Sequence, residues 1–311
     1  MKIVFLDVKT IGEDIDLRGF DALGEVVKYD FSTAEETRER TKDADVIVLN
    51  KVQINENTIG EAKNLKLVCV TATGTNNLDK DYLAARNIEW RNVAGYSTES
   101  VAQHTFAMLF YLLEKLSYYD NYVKNEQYVN DTIFTHFAEH FHQISGMTWG
   151  IIGLGNIGRR VADIAKAFGA NVIYYSTSGK NNQEGYKRVD FDTLLRTSDI
   201  ISVHAPLDAN TENLMNKEAF DKMKKTAIFL NLGRGGIVVE KDLADALNEE
   251  KIAAAGLDVL VKEPMCEDSA FLPIKDSKKL LITPHIAWAS VEARTNLMNI
   301  ILEQIKEWGA S

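Results

Sequence analysis

Short apolar runs rich in β-branched residues alternate along the chain with longer stretches of mixed polar and apolar character. KIVFLDV (2–8), DADVIVLN (43–50) and LKLVCVTATG (65–74) read as strands, and the charged TAEETRERTKDA (33–44) between the first two reads as a helix. Nearly continuous apolar strands separated by helices imply a parallel sheet covered on both faces. A second series starts at TWGIIGLGNIG (148–158) and runs through NVIYYS (171–176), DIISVHAPL (199–207), TAIFLNLG (226–233), AAAGLDVL (253–260) and LLITPH (280–285). Those six runs with helices between them are enough for a complete doubly wound sheet. SVEARTNLMNIILEQIKEW (290–308) reads as a terminal helix.

One stretch breaks this rhythm. SVAQHTFAMLFYLLEKLSYY (100–119) is long, apolar and free of Gly and Pro, with Ser97 or Thr98 placed to cap it and Glu99 in its first turn. Gln103, His104, Glu114 and Lys115 make it too polar to span a bilayer, so it is expected to be buried in a core or a subunit interface. Its position between the two strand series agrees with the 311-residue length in suggesting two domains.

Charge and composition narrow the picture further. A net charge of -10 argues against a general nucleic-acid binder, which needs a basic face to displace counterions. Cys69 and Cys266 stand in no CxxC or Cys/His cluster, so neither a disulfide framework nor a metal site is expected, in keeping with a reducing compartment. The N-terminal apolar run, Ile3–Leu6, is too short for a signal peptide, and no run approaches the ~18 residues of a membrane helix. A cytoplasmic protein without membrane partners is expected.

Gly153-x-Gly155-x-x-Gly158 sits between an apolar strand and the periodic helix IGRRVADIAKAFG, which Gly169 stops before another strand. A lone pattern of this kind is weak; in this setting it is a dinucleotide fingerprint. Gly153 permits the tight turn, Gly155 the approach of a pyrophosphate and Gly158 close helix–strand packing, while amides at the helix start meet the anion. The next strand ends in YYSTSGKN, where NAD-preferring proteins usually carry an acidic residue. Ser176 stands there instead, followed by Thr177, Ser178 and Lys180. Nothing there repels a 2′-phosphate, and hydroxyls and a cation are at hand to bind one. The turn favours NADP(H), with ordinary NAD(H) use as the alternative.

Three later strand ends carry chemistry. Arg234 lies among the glycines of NLGRGGIVVE, with Leu232 and Gly233 before it. Asp258 and Glu263 lie in GLDVLVKEP, and His285 in TPHIAWAS. A guanidinium holds a carboxylate bidentately and polarises an adjacent carbonyl. Histidine titrates near neutrality and suits protonation of a nascent alkoxide, and a nearby carboxylate, here Glu263, fixes its tautomer. Each residue alone is ambiguous; together, after a dinucleotide sheet, they describe a keto-acid reductase. Of the remaining histidines, His104, His136, His140 and His142 lack such a setting, and His204 in VHAPL suits the cofactor path.

On GIIGLGNIGRRVA, SDIISVHAPL, NLGRGGIVVE, GLDVLVKEP, TPHIAWAS and NVAGYSTESVAQHTFAMLF the whole chain resembles the D-isomer-specific 2-hydroxyacid dehydrogenase family. GYST and HIAWAS are most like its glycerate dehydrogenase, or hydroxypyruvate reductase, branch. The resemblance implies two Rossmann-like α/β domains of doubly wound parallel sheet with a cleft between them. The substrate domain would be 1–97 plus 289–311 and the nucleotide domain 98–288. It implies Arg234, Glu263 and His285 as catalytic residues, with Lys51, Thr73, Gly74 and Arg234 on the substrate. On the cofactor it implies Thr105, Gly153, Gly155, Asn156, Ile157, Gly158, Ser176, Thr177, Ser178, Lys180, His204, Ala205, Pro206, Leu232, Gly233 and Asp258, the last at the carboxamide position. A homodimer through the nucleotide domain, with the helix from Ser100 in the interface, is implied as well. The expected reaction is hydride transfer between NAD(P)H and a small 2-keto acid, hydroxypyruvate or glyoxylate first. Lactate- or phosphoglycerate-type dehydrogenation, phosphite or formate oxidation, and a non-enzymatic NAD(H)-sensing corepressor are the alternatives.

Overall fold

A computed structural model describes residues 1–310, and the chain divides into two compact units. The first comprises Met1–Ser97 and the segment from Ala289 onward; the second is Thr98–Trp288.

In the first unit, β1 (Lys2–Phe5), β2 (Glu25–Lys28), α1 (Ala34–Arg40), β3 (Val46–Leu49), α2 (Glu56–Ile59), β4 (Leu67–Val70), α3 (Lys80–Ala85) and β5 (Glu89–Arg91) follow in order. The five strands pair in the order β2-β1-β3-β4-β5, all parallel. The three expected strands are the central ones, and β3 and β4 are buried at every position. The edge strands β2 and β5 escape the sequence reading because each has a single partner and keeps exposed polar residues (Glu25, Lys28, Glu89), which blurs the apolar run. Helix α1 starts where Thr33 and Glu36 form a reciprocal capping box. Beyond β1, the Asp7 carboxyl group is buried and accepts hydrogen bonds from the amides of Asn50 (2.8 Å), Lys51 (2.6 Å) and Val52 (3.2 Å).

The second unit opens with α4 (Thr98–Leu113) and α5 (Leu116–Lys124). It continues through β6 (Thr148–Ile152), α6 (Asn156–Ala167), β7 (Asn171–Tyr175), β8 (Lys187–Arg188), α7 (Phe191–Thr197), β9 (Ile200–Val203), α8 (Lys217–Lys222), β10 (Ile228–Asn231), α9 (Glu240–Asn248), β11 (Ala254–Leu257) and β12 (Leu280–Ile282). Its seven parallel strands run β12-β11-β10-β9-β6-β7-β8, so the six expected strands gain a two-residue exposed edge, β8. The chain returns to the first unit as α10 (Val291–Gly309), capped by Ser290 and packed through Leu297, Ile301 and Ile305. Among the described residues no helix is long and apolar enough to cross a membrane.

The expected single helix over 100–119 is corrected to two. Lys115 takes a left-handed conformation (φ 55°) and separates α4 from α5. The two pieces have different environments. Helix α4 buries Val101, Ala102, Phe106, Met108, Leu109 and Leu112 in one core with Trp149, Ile151 and Leu230, whereas α5 buries no residue fully. Without Gly or Pro, nothing in the local sequence marks this break. Past it, Leu116, Val123, Ile133, Phe134, Phe137 and Phe141 are exposed, and the last four lie in a segment without helix or strand.

Leu112 is completely buried on α4, so Leu112→Ala is expected to destabilise the protein by about 2–5 kcal/mol through lost transfer energy and a residual cavity. A lowered urea midpoint at unchanged m-value is the signature; a shift within error of zero would remove α4 from the load of the core.

Candidate active site

The strands of the second sheet are parallel, so their carboxyl ends share one edge. The residues that directly follow β6, β9, β10, β11 and β12 are Gly153, His204, Leu232, Asp258 and Thr283. The topology therefore gathers the chemical residues from five distant segments along this edge, on either side of the β6/β9 switch in strand order.

The glycine turn has the features a pyrophosphate requires. Gly153 sits at φ 89°, and a Cβ there would lie 2.8 Å from the Ala205 backbone. A Cβ at Gly158 would collide with the Gly153 carbonyl, so the start of α6 is locked against the turn. At Gly155 a Cβ would meet no protein atom within 4 Å, leaving space open over the turn. Gly155 is the N-cap of α6, and no side chain caps that helix, in contrast to Thr33 on α1, Asp190 on α7 and Ser290 on α10. The first-turn amides, including those of Asn156, Ile157 and Gly158, face an end that carries partial positive charge. His204 and Ala205 adjoin this turn, and Gly233 reaches the same place, since a Cβ there would lie 2.9 Å from the Ala205 carbonyl oxygen. His204 Nε2 meets Ser202 Oγ at 3.1 Å, and its Nδ1 is sealed from water with no protein partner, an orphan that a bound ligand would satisfy. The turn thus fits a dinucleotide. Thr105, also expected near it, is fully buried and donates its hydroxyl to Val101 O in its own helix.

After β7, Ser176 is buried and its Oγ accepts from the Asn181 amide at 3.2 Å. Asn181 in turn donates to Leu154 O at 2.8 Å, which ties this loop to the glycine turn. Lys180 and Ser178 are exposed, and Thr177 is partly so. Arg188 on β8 donates to Gly179 O at 3.0 Å, adding a cation that the sequence reading missed because it lies on the short edge strand.

His285 and Glu263 meet directly. Glu263 Oε2 lies 2.7 Å from His285 Nδ1, and Oε1 accepts from the Leu260 amide at 2.9 Å. An ionised carboxylate only accepts, so Nδ1 carries hydrogen and Nε2 is the proton-exchanging atom. Arg234 is placed through backbone contacts: Asn231 Nδ2 donates to Arg234 O at 3.0 Å, and Gly235 packs so closely on Leu260 that a Cβ would overlap it. Arg234 Nη1 donates to Gly233 O at 2.8 Å, and the rest of its planar fork remains for a ligand.

Asp258 is 2% exposed and accepts from Thr283 Oγ1 (2.7 Å) and the amides of Ile286 (2.9 Å) and Ala287 (2.9 Å). It therefore holds the segment that carries His285. His104, read as lacking a catalytic setting, is corrected here: its Nε2 lies 3.0 Å from Thr283 Oγ1 and 3.7 Å from Asp258 Oδ1. His136 instead stacks on Tyr122 at 3.8 Å, away from the strand ends. In the first unit, Lys51 is exposed, Thr73 directs its hydroxyl to Val93 O at 2.9 Å, and the Thr73 and Gly74 amides find no acceptor among the described residues. No group of three or more His, Cys, Asp or Glu able to hold a metal occurs among the described residues.

The sequence profile of the D-isomer specific 2-hydroxyacid dehydrogenase NAD-binding domain matches residues 106–287. The chain belongs to the D-isomer-specific 2-hydroxyacid dehydrogenase family. It is an NAD(P)-dependent oxidoreductase of D-2-hydroxy acids. A hydroxypyruvate reductase of Blautia hydrogenotrophica is 36% identical, over 99% of this chain and 97% of its own. A glycerate dehydrogenase of Methylorubrum extorquens is 35% identical, over 99% and 96%. The solved structure of an acyclic imino acid reductase in complex with NADPH and D-Arg superposes with a TM-score of 0.87 at 30% identity, covering 100% of this chain and 97% of that one. Membership of this dehydrogenase family agrees with the two parallel-sheet units and with the glycerate-type motifs GYST and HIAWAS.

Burial depresses His204 to about 3. Free histidine titrates near 6.5, so between about pH 6.5 and 3 the unfolded chain binds a proton that the folded one refuses. The stabilising effect of His204 is complete above that window and lost as pH falls through it. His204→Asn is thus expected to flatten the acid limb of unfolding free energy against pH; parallel limbs in variant and wild type would contradict it.

Proposed function

We propose that this dehydrogenase reduces hydroxypyruvate and glyoxylate to D-glycerate and glycolate, with NADPH as the preferred reductant. The observation that carries the reading is the 2.7 Å contact of Glu263 with His285 at the edge where the glycine turn and the Arg234 turn also lie. A bound reduced nicotinamide supplies the hydride. Arg234 holds the substrate carboxylate and polarises the keto oxygen. His285 Nε2 donates the proton that the new alkoxide requires, while Glu263 keeps the ring oriented through Nδ1. By the family resemblance alone we also assign Lys51, Thr73 and Gly74 to the substrate carboxylate. Leu232, Gly233 and Asp258 are assigned to the nicotinamide end, and His204, Ala205 and Pro206 to the adenosine side; Thr105, buried in its own helix, stands behind them. The names of the relatives in Blautia and Methylorubrum support the substrate choice.

His285→Gln is expected to lose about 10²–10⁴-fold in turnover while binding NADPH as the wild type does. Loss of nicotinamide absorbance with hydroxypyruvate, glyoxylate, pyruvate and branched keto acids measures both turnover and selectivity. Near-normal turnover in the variant would reject the role of His285, and a wild type inactive on hydroxypyruvate and glyoxylate would reject the substrate.

Support for NADPH comes from the turn after β7, which has no carboxylate at 176 and has Lys180 and Arg188 nearby. An aspartate at 176 would repel a 2′-phosphate. Ser176→Asp is expected to lower kcat/KM for NADPH at least about tenfold, or about 1.4 kcal/mol, and to spare NADH. Equal losses with both cofactors would remove the assignment.

We further place the enzyme in the cytoplasm, where its two unpaired cysteines fit the reducing conditions, as a homodimer joined through the nucleotide unit. Because α4 buries its apolar face internally, the surface for the second copy falls on α5 and the segment after it, where Phe134 is 87% and Phe137 75% exposed. Phe134→Asp combined with Phe137→Asp is expected to halve the sedimenting mass; an unchanged mass would displace the interface.

A further inference from the structure

The turn that bears the catalytic histidine belongs to no helix or strand. Residues 283–288 follow β12, and within them His285 sits at φ 56°, a left-handed conformation that costs a non-glycine residue free energy unless its surroundings impose it. Several bonds impose it. The His285 amide donates to Thr283 O at 2.9 Å, Trp288 Nε1 donates to His285 O at 2.9 Å, and the Ile286 and Ala287 amides donate to opposite oxygens of Asp258.

Asp258 must itself be held in one rotamer for this to work, and its Oδ1 is bound from a second side by Thr283 Oγ1 at 2.7 Å. A threonine hydroxyl has one hydrogen. Because that hydrogen goes to a carboxylate that only accepts, Thr283 Oγ1 is the acceptor in its 3.0 Å contact with His104, and His104 Nε2 is the donor. The relay therefore has one polarity, from His104 through Thr283 to Asp258. Burial lowers the pKa of His104 despite Asp258 nearby, in keeping with a neutral ring that donates from Nε2 alone. His104 stands on α4, directly before the buried Thr105, on a helix that also packs against β11 and β12.

We propose that His104 is a positioning residue for the catalytic turn, fixing Thr283 and through it the Asp258 carboxylate that shapes the backbone at His285. This rests on the reading of His285 as the proton donor. Without the Nε2 donor, Thr283 Oγ1 loses one of its two partners, and its position against Asp258 rests on its own hydroxyl bond alone. A displacement of about 1 Å at a reacting group is enough to cost up to about 10²-fold in rate.

The test compares His104→Leu, which removes the donor, with His104→Gln, whose Nε2 restores one, and Thr283→Val with Thr283→Ser in the same way. His104→Leu and Thr283→Val are expected to lower kcat about tenfold or more, and His104→Gln and Thr283→Ser to recover most of it. In the ligand-free protein, amide exchange at Ile286 and Ala287 is expected to accelerate in the first pair and return in the second. Unchanged kcat and exchange in His104→Leu, or a His104→Gln variant as impaired as His104→Leu, would overturn the proposal. If one leucine or valine variant does not fold, the other pair decides by the same criteria. Should the wild type reduce no keto acid, the proposed reaction fails, and amide exchange still decides whether His104 holds the turn.

Discussion

A carboxylate shut away from water at the end of a strand has to be given hydrogen-bond donors, and Asp258 takes its donors from the turn after β12. That constraint organises the second unit. It joins the ends of β11 and β12, fixes where the left-handed His285 backbone can be, and so sets where Glu263 must reach. An expected cofactor contact turns out to have an architectural task of its own. The two roles are compatible, because a donor arriving from a ligand would add to a carboxylate that is already oriented.

The same strand edge solves a second electrostatic problem at the glycine turn. Helix α6 ends in amides that no side chain covers, over a space that Gly155 leaves open. Several helices elsewhere in the chain answer this problem internally, with Thr33, Asp190 or Ser290, while α5 and α9 share the lack of a side-chain cap. What sets α6 apart is the open space over its first-turn amides, which leaves room for an outside anion to complete the helix. The orphaned His204 Nδ1, close by the same turn, fits that logic.

Much of this was legible in the chain because buried parallel strands write themselves as apolar runs. All nine strands expected from such runs exist, and the residues assigned to chemistry follow their carboxyl ends. The edge strands β2, β5 and β8 were not legible, since a strand with one neighbour need not be apolar. The break at Lys115 was not legible either, because a left-handed lysine is dictated by what the two helices pack against and leaves no Gly or Pro behind. Arg188 was hidden on an unread edge. His104 was hidden by its partners, Thr283 and Asp258, which lie more than a hundred residues away in sequence and meet it only in the folded unit.

The first sheet has a comparable point at β1 and β3, from which its strand order runs outward in both directions. There the amides of Asn50, Lys51 and Val52 converge on Asp7, a negative group supplied by the chain itself. A cradle of that kind, already filled from within, offers no lodging to a phosphate from solution. Two sheets of kindred design thereby become unequal: the second keeps its berth for a visitor, and the first has permanently seated one of its own residues there, leaving it to serve by shape and by the loops it displays.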